Sequence, residues 1–251
     1  MNKRIFAAAA AAAICLLTCV ACGKGTEISV NENVSGNTTP SGTSDEKNAD
    51  LTIGDIVQPK EGSEEYNLGS YRIASDEVKF YYDDTVSEDV MLALDRYFTT
   101  FQNEDYSTYS SLIFPDYKER YNTFLEKEYQ YGFEDSFKLN CENLRTIMKN
   151  TLSEEDDSKE YTGDFTITRI KAEQPELKED ETLEDLKKKL FEYFDEVFEM
   201  DYYEYVKENS DDIEYISFYI YARGEDGEEH RLLSGYDIAF AIKDGKYYAF
   251  G

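Results

Sequence analysis

Apolar residues recur along the chain with two distinct periods, and one long stretch shows neither. Val90, Met91, Leu94, Tyr97, Phe98 and Phe101 fall at three- and four-residue steps, the spacing of an amphipathic helix. Ser87 stands before them as an N-cap, with Glu88 and Asp89 in the first turn. Asn103-Glu104-Asp105 breaks that pattern, and Tyr106, Tyr109, Leu112 and Ile113 predict a second, short helix that stops at Pro115. Tyr117, Tyr121, Phe124 and Leu125 predict a third, ending near Gly132, and Phe137, Cys141, Leu144, Ile147 and Met148 a fourth. The period changes after the acidic break Ser153-Glu154-Glu155-Asp156-Asp157. Phe165, Ile167 and Ile170 read as a strand rich in β-branched residues. Leu183 to Met200 returns to helical spacing, and Asp201 to Ser210 adds a further turn or two. The chain closes as a β-meander. Ile216, Phe218, Ile220 and Ala222 form one inward set, with Tyr215, Tyr219 and Tyr221 opposite, and Tyr236, Ile238, Phe240 and Ile242 form the next. Gly224 to Gly227 and Asp244-Gly245 supply the turns. A strand at 71–82 precedes the first helix. The expected fold class is α+β, with several N-terminal helices packed on a curved, mainly antiparallel sheet and the meander at the C-terminus.

The stretch without a period runs from Gly23 to Glu65. It contains no aromatic residue and is dominated by Ser, Thr, Asn, Gly and Pro, which is linker composition. Its one apolar patch, Leu51 to Val57, admits a minority reading as a docking strand. The chain therefore divides into a leader at 1–21, a tether at 22–65 and a single α+β domain at 66–251.

Charge narrows the function classes. The chain of 251 residues carries 26 Lys and Arg against 54 Asp and Glu, a net of −28. Such a field repels phosphate backbones, so nucleic acid is excluded as a partner. With 22 Tyr and 15 Phe there is ample core material, so the acidity does not signal disorder. A monomer is expected, since like charge discourages self-association.

The leader opens with Lys3 and Arg4 and then runs from Ile5 to Ala21 without a charge, the layout of a secretory signal. At its end, Cys19-Val20-Ala21-Cys22-Gly23-Lys24-Gly25 resembles the lipobox of bacterial lipoproteins, in which a small residue precedes the Cys that is lipidated and becomes the mature N-terminus. Cys22 is the preferred attachment site and Cys19 the rival, since Leu16-Leu17-Thr18-Cys19 supplies the upstream Leu but places Thr before the Cys. The resemblance implies a two-chain lipid anchor, which holds a protein stably where one acyl chain would not. It places the domain on the outer face of the cell membrane, held off by the tether.

A second resemblance covers residues 87 to 251. Leu94-Asp95-Arg96-Tyr97-Phe98-Thr99-Thr100-Phe101 through Tyr106 looks like the helical opening of the nuclear-transport-factor-two-like superfamily, cone-shaped α+β domains. Ile242-Lys243-Asp244-Gly245-Lys246-Tyr247-Tyr248 is similar to the ending of such domains in Gram-positive lipoproteins, with Tyr247 where Trp is usual. It implies the same fold that the periodicity does.

Chemistry is sparse. The only His, His230, lies in Glu228-Glu229-His230-Arg231 just after a turn, where a solvated side chain is expected. No nucleophile elbow, phosphate loop or dinucleotide fingerprint is present. The acidic runs at 154–157 and 225–229 lack the spacing of a calcium loop and read as solvated turns. No metal site, no cofactor and no catalytic set is assigned. Asp237 is the one pocket candidate, because it interrupts an apolar strand, although alternation places it on the outer face. Cys141, in an apolar helical pattern, reads as a small buried hydrophobe. Tyr202, Tyr203, Tyr205, Tyr215, Tyr219 and Tyr221 could stack on sugars, but half-buried structural tyrosines are the preferred reading. The expected function is that of a non-catalytic module binding a small ligand or an envelope protein. The alternative is a small pocket hydrolase or isomerase working through a buried carboxylate.

Overall fold

The computed structural model describes residues 51–251, so the leader, Cys19, Cys22 and most of the tether lie outside the described residues. Six strands form one curled sheet in the order β1-β2-β3-β4-β5-β6. They are β1 (Arg72–Ile73), β2 (Lys79–Tyr82), β3 (Thr166–Glu173), β4 (Asp212–Arg223), β5 (Glu229–Lys243) and β6 (Lys246–Tyr248). All neighbours are antiparallel except β2 and β3, which run parallel because four helices intervene between them. Those helices are α1 (Glu88–Gln102), α2 (Tyr106–Leu112), α3 (Pro115–Tyr129) and α4 (Phe133–Glu155). Between β3 and β4 come α5 (Leu183–Phe198) and α6 (Tyr202–Asn209). The α+β class, with helices on a curved sheet and a terminal meander, is the architecture observed.

Local chemistry explains the boundaries. Ser87 Oγ accepts from the Val90 N–H at 3.2 Å and starts α1. Pro115 opens α3 at its first helical position, where a missing N–H costs nothing; it begins one helix as well as limiting the one before. Thr182 and Asp185 cap the start of α5 reciprocally. The fourth helix is longer than its apolar spacing suggested. It continues through Ser153, Glu154 and Glu155 before Asp156 leaves the helical region. The strand expected at 71–82 is interrupted by a tight turn at 74–78, in which Glu77 has φ 75°.

The core is aromatic and continuous with the helix-covered face of the sheet. Phe98 of α1 meets Phe218 of β4 at 5.1 Å between ring centroids, and Tyr109 meets Phe137 at 4.5 Å. Phe80, Ile170, Phe218, Ile220 and Ala222 line this face. The opposite face carries Tyr81, Arg169, Lys171, Tyr219 and Tyr221, where the Arg169 guanidinium lies 3.9 Å from the Tyr221 ring centroid. Near β6 that face is covered too. Ile213 and Tyr215 pair across β4–β5 with Ala241 and Ala239, all four are buried, and α6 packs against β5. Two extra residues in β5, Gly235 (φ 66°) and Leu232, shift its register against β4, leaving Leu232 and Leu233 both buried.

The apolar patch of the tether is attached. Gly54 N–H donates to Ile73 O at 2.9 Å and Val57 N–H to Tyr71 O at 2.7 Å, so 53–57 lies antiparallel along β1 in isolated bridges. The segment thus docks beside β1 through two isolated bridges without forming a strand of its own.

Candidate functional site

A cavity of about 400 Å³ opens between α1, the end of α2 and the β5–β6 hairpin. The hairpin exists because Asp244 (φ 51°) and Gly245 (φ 70°) both take the left-handed region that a two-residue turn requires. An Asp211 carboxylate oxygen accepts from the Asp244 N–H at 2.7 Å and holds the turn down. Phe240 and Tyr97, both buried, form the floor, with Leu92, Ala93, Leu112, Tyr247 and Tyr248 around it. Polar groups enter from Asp89, Arg96, Ser111 and Lys246. The cavity thus offers flat aromatic surface, two cations and one carboxylate.

One wall is electrostatically tuned. Burial pushes the Tyr247 phenol up, opposed by a hydrogen bond to Ser87, while the nearby Glu214 and Asp89 carboxylates raise it further. Glu214, opposite Phe240 in the β4–β5 ladder, is half-buried. Burial first and the Asp212 charge second hold its carboxyl above the usual range, and its hydrogen bond to Tyr247 opposes this. A hydroxyl, a phenol and a carboxyl therefore adjoin at one edge of the cavity.

The residues singled out from sequence are placed elsewhere. Asp237 does not line the cavity. It stands opposite Ser217 on the outer face and accepts a hydrogen bond from the Ser217 hydroxyl, the placement that alternation favoured. Cys141 is buried, and burial pushes its thiol up to about 11, which leaves it unreactive at neutral pH. Tyr202, Tyr203 and Tyr215 are buried, so the six tyrosines form no common surface; Tyr205, Tyr219 and Tyr221 are half-buried. His230 corrects the sequence reading: it is 8% exposed rather than solvated. It pairs with Ala222 on the helix-covered face of the sheet, beneath the end of α4.

Sequence reasoning missed two features. Arg96, Tyr97, Lys246 and Tyr248 lie far apart in the chain and meet only because β6 returns to α1, so no local motif announces them. The other is Asp95, which is fully buried on α1. Burial, the adjacent Asp76 carboxylate and a hydrogen bond to it push Asp95 up to about 8. Thr99 Oγ1 donates to Asp95 Oδ1 at 3.3 Å. A polar residue at an inward helical position was the available signal. Asp95 is not among the residues lining the cavity.

Comparison with family models, with curated proteins and with solved structures returns no match. No helix among the described residues is long and apolar enough to cross a membrane.

Proposed function

We propose that the chain is a lipid-anchored lipoprotein of the bacterial cell envelope whose domain, of the nuclear-transport-factor-two-like kind, binds a small anionic ligand in the cavity beside the β5–β6 hairpin. The observation that carries the binding reading is the lining itself: Arg96 and Lys246 enter a pocket floored by Tyr97 and Phe240 and walled by Tyr247 and Tyr248, on a chain of net charge −28. Flat aromatic walls accept the apolar face of a sugar ring or a planar group, and the cations select an acidic substituent. The anchor reading rests on the charged start, the apolar run and the Ala21-Cys22 junction.

The ligand is sought by titrating acidic wall-derived sugars and muropeptides against the full chain by calorimetry. Saturable binding that weakens at least tenfold in Lys246→Glu supports the reading. Binding indifferent to Lys246→Glu and to Tyr248→Ala would overturn it. Acyl labelling tests the anchor: Cys22→Ala should lose the label, and a variant that still labels moves the site to Cys19 or removes the anchor.

The pocket-enzyme reading keeps one supporting observation, the Glu214–Tyr247 pair at the cavity's edge. A carboxyl held above its usual range beside a phenol is a general acid–base arrangement. Reproducible turnover of a hydrolase or isomerase substrate, lost in Glu214→Gln while ligand binding persists, would favour it over simple binding.

A further inference from the structure

The corner where α4 meets the β4–β5 turn holds the chain's single histidine between two carboxylates, and no part of it belongs to the cavity. We propose that His230 and Glu155 hold a divalent transition-metal ion of the Zn²⁺ class, with Asp226 orienting the imidazole.

The two ring nitrogens have different surroundings. Nε2 lies 2.8 Å from Asp226 Oδ2, and since a carboxylate oxygen accepts, Nε2–H is the donor. The neutral imidazole that a metal takes as ligand then presents its lone pair at Nδ1. Nδ1 faces Glu155 Oε1 at 3.6 Å, too long for a hydrogen bond. Two ligands bound tetrahedrally to one zinc ion, at Zn–N and Zn–O lengths near 2.1 Å, stand about 3.4 Å apart. The Nδ1–Oε1 separation therefore suits a shared ion better than a direct contact. A carboxylate on the far nitrogen is the usual outer partner of a metal-bound imidazole, fixing its tautomer and direction.

The surroundings hold these groups ready. The His230 side chain is 7% exposed and Asp226's is 18%, whereas Glu155's is 61%, so an ion would reach Nδ1 from the Glu155 side. Asp226 is itself fixed, its Oδ1 accepting from the Glu228 N–H at 3.1 Å. Its neighbour Glu225 is committed elsewhere, accepting from the Thr162 and Gly163 N–H groups at 2.7 and 2.9 Å. The turn is seated on α4, since Gly224 lies so close to Leu152 and Met148 that a Cβ there would stand 3.0 Å from one and 3.2 Å from the other. Electrostatics add a second, independent reason. Glu154 and Glu155 occupy the negative end of α4, and its last turn contains no basic residue. A cation at that end offsets both the charges and the helix dipole. One imidazole among oxygen donors selects a borderline transition metal over Ca²⁺ or Mg²⁺.

With only one histidine in the chain, the imidazole ¹⁵N spectrum of the untagged full chain reports this site alone. Titrating Zn²⁺ should move the Nδ1 resonance and saturate near one equivalent, while Ca²⁺ leaves it unchanged. Glu155→Gln, an exposed change that leaves the core intact, and Asp226→Asn should each weaken the Zn²⁺ response about tenfold or more. His230→Gln should abolish one equivalent of binding. The proposal is overturned if Nδ1 stays put while Zn²⁺ binds elsewhere, if Ca²⁺ moves it equally, or if His230→Gln binds the same amount of Zn²⁺.

Discussion

Two corners of the sheet each bury an ionisable side chain beside a turn, and they treat it in opposite ways. At the β4–β5 corner, buried His230 has carboxylates on both sides. At the β1–β2 corner, buried Asp95 faces another carboxylate, Asp76. An imidazole between acids can donate to one and share a cation with the other, whereas a buried acid against an acid retains its proton. Burial alone therefore does not set the character of a site in so acidic a chain. The neighbours are acidic at both corners, so the charge type of the buried group itself decides the outcome.

The largest consequence is a stability that falls as pH rises. Asp95 keeps its proton up to about pH 8 in the folded domain, whereas in the unfolded chain it ionises near its ordinary value of 3.8. Between roughly pH 4 and 8 the folded state thus binds more protons, so stability drops through that window and levels off above it. The slope reaches at most about 1.4 kcal/mol per pH unit. Carboxyls held low, such as Asp83 and Asp185, act with the opposite sign and only below that window. Asp95→Asn should flatten the profile and raise stability at pH 8 by a few kcal/mol. Urea titrations of both proteins from pH 5 to 9 measure this. Parallel profiles would mean that Asp95 ionises normally, and the contrast between the corners would disappear.

Asp226→Ala is expected to come next. It strips a buried imidazole of its hydrogen bond and frees the turn that Asp226 also caps, for a loss of about 1–3 kcal/mol. Chemical denaturation at pH 7 without added metal reads the effect. A loss below about 0.5 kcal/mol would show that the carboxylate adds nothing to the His230 corner.

The two corners differ in how far the sequence announced them. His230 shares strand parity with Tyr236, Ile238 and Phe240, and its inward direction was available from alternation. Two β5 bulges shift the register twice and restore that parity. Its charged neighbours Glu228, Glu229 and Arg231 suggested solvent instead, because charge context reports the strand's outer face and its turn, not the residue between them. Asp95 sits among Met91, Leu94 and Phe98 in a clear helical stripe, so its burial was legible, but its partner was not. Asp76 reaches it through a tight turn that splits a segment reading as one strand. The helices and the meander were legible because their periods are long and regular. The cavity was not, because Arg96 and Lys246 meet only through the closure of the sheet.

Removing residues 1–65 should have a smaller effect that bears on the Asp95 corner. Thr52 and Ser75 exchange hydrogen bonds, the Ser75 N–H donating to Thr52 O at 2.9 Å and the Thr52 N–H to Ser75 Oγ at 3.2 Å. Segment 52–57 thereby pads the turn that carries Asp76. A chain starting at 66 should lose about 1 kcal/mol, the net left when the segment's hydrogen bonds are set against the conformational entropy of ordering it. It should also show a shallower pH slope, because water gains access to the Asp76–Asp95 pair. A chain starting at 51 should match the full chain in both. If the chain starting at 66 keeps the full slope, the padding is irrelevant to Asp95.

The smallest effect is predicted for Glu155→Gln in the absence of metal. Glu155 is 61% exposed on its side chain and stands 3.6 Å from His230 Nδ1, so water screens the pair and no hydrogen bond is lost. It also sits at the negative end of α4, where removing a charge relieves the helix dipole. The two terms oppose each other, and the change in stability should stay within about 0.5 kcal/mol of zero. Thermal unfolding of the two proteins with a chelator present decides this. A loss above about 1 kcal/mol would mean that Glu155 is a structural partner of the imidazole in its own right. His230 would then be held by two direct carboxylate contacts, and the asymmetry between Nε2 and Nδ1 that distinguishes this corner from the Asp95 corner would be lost.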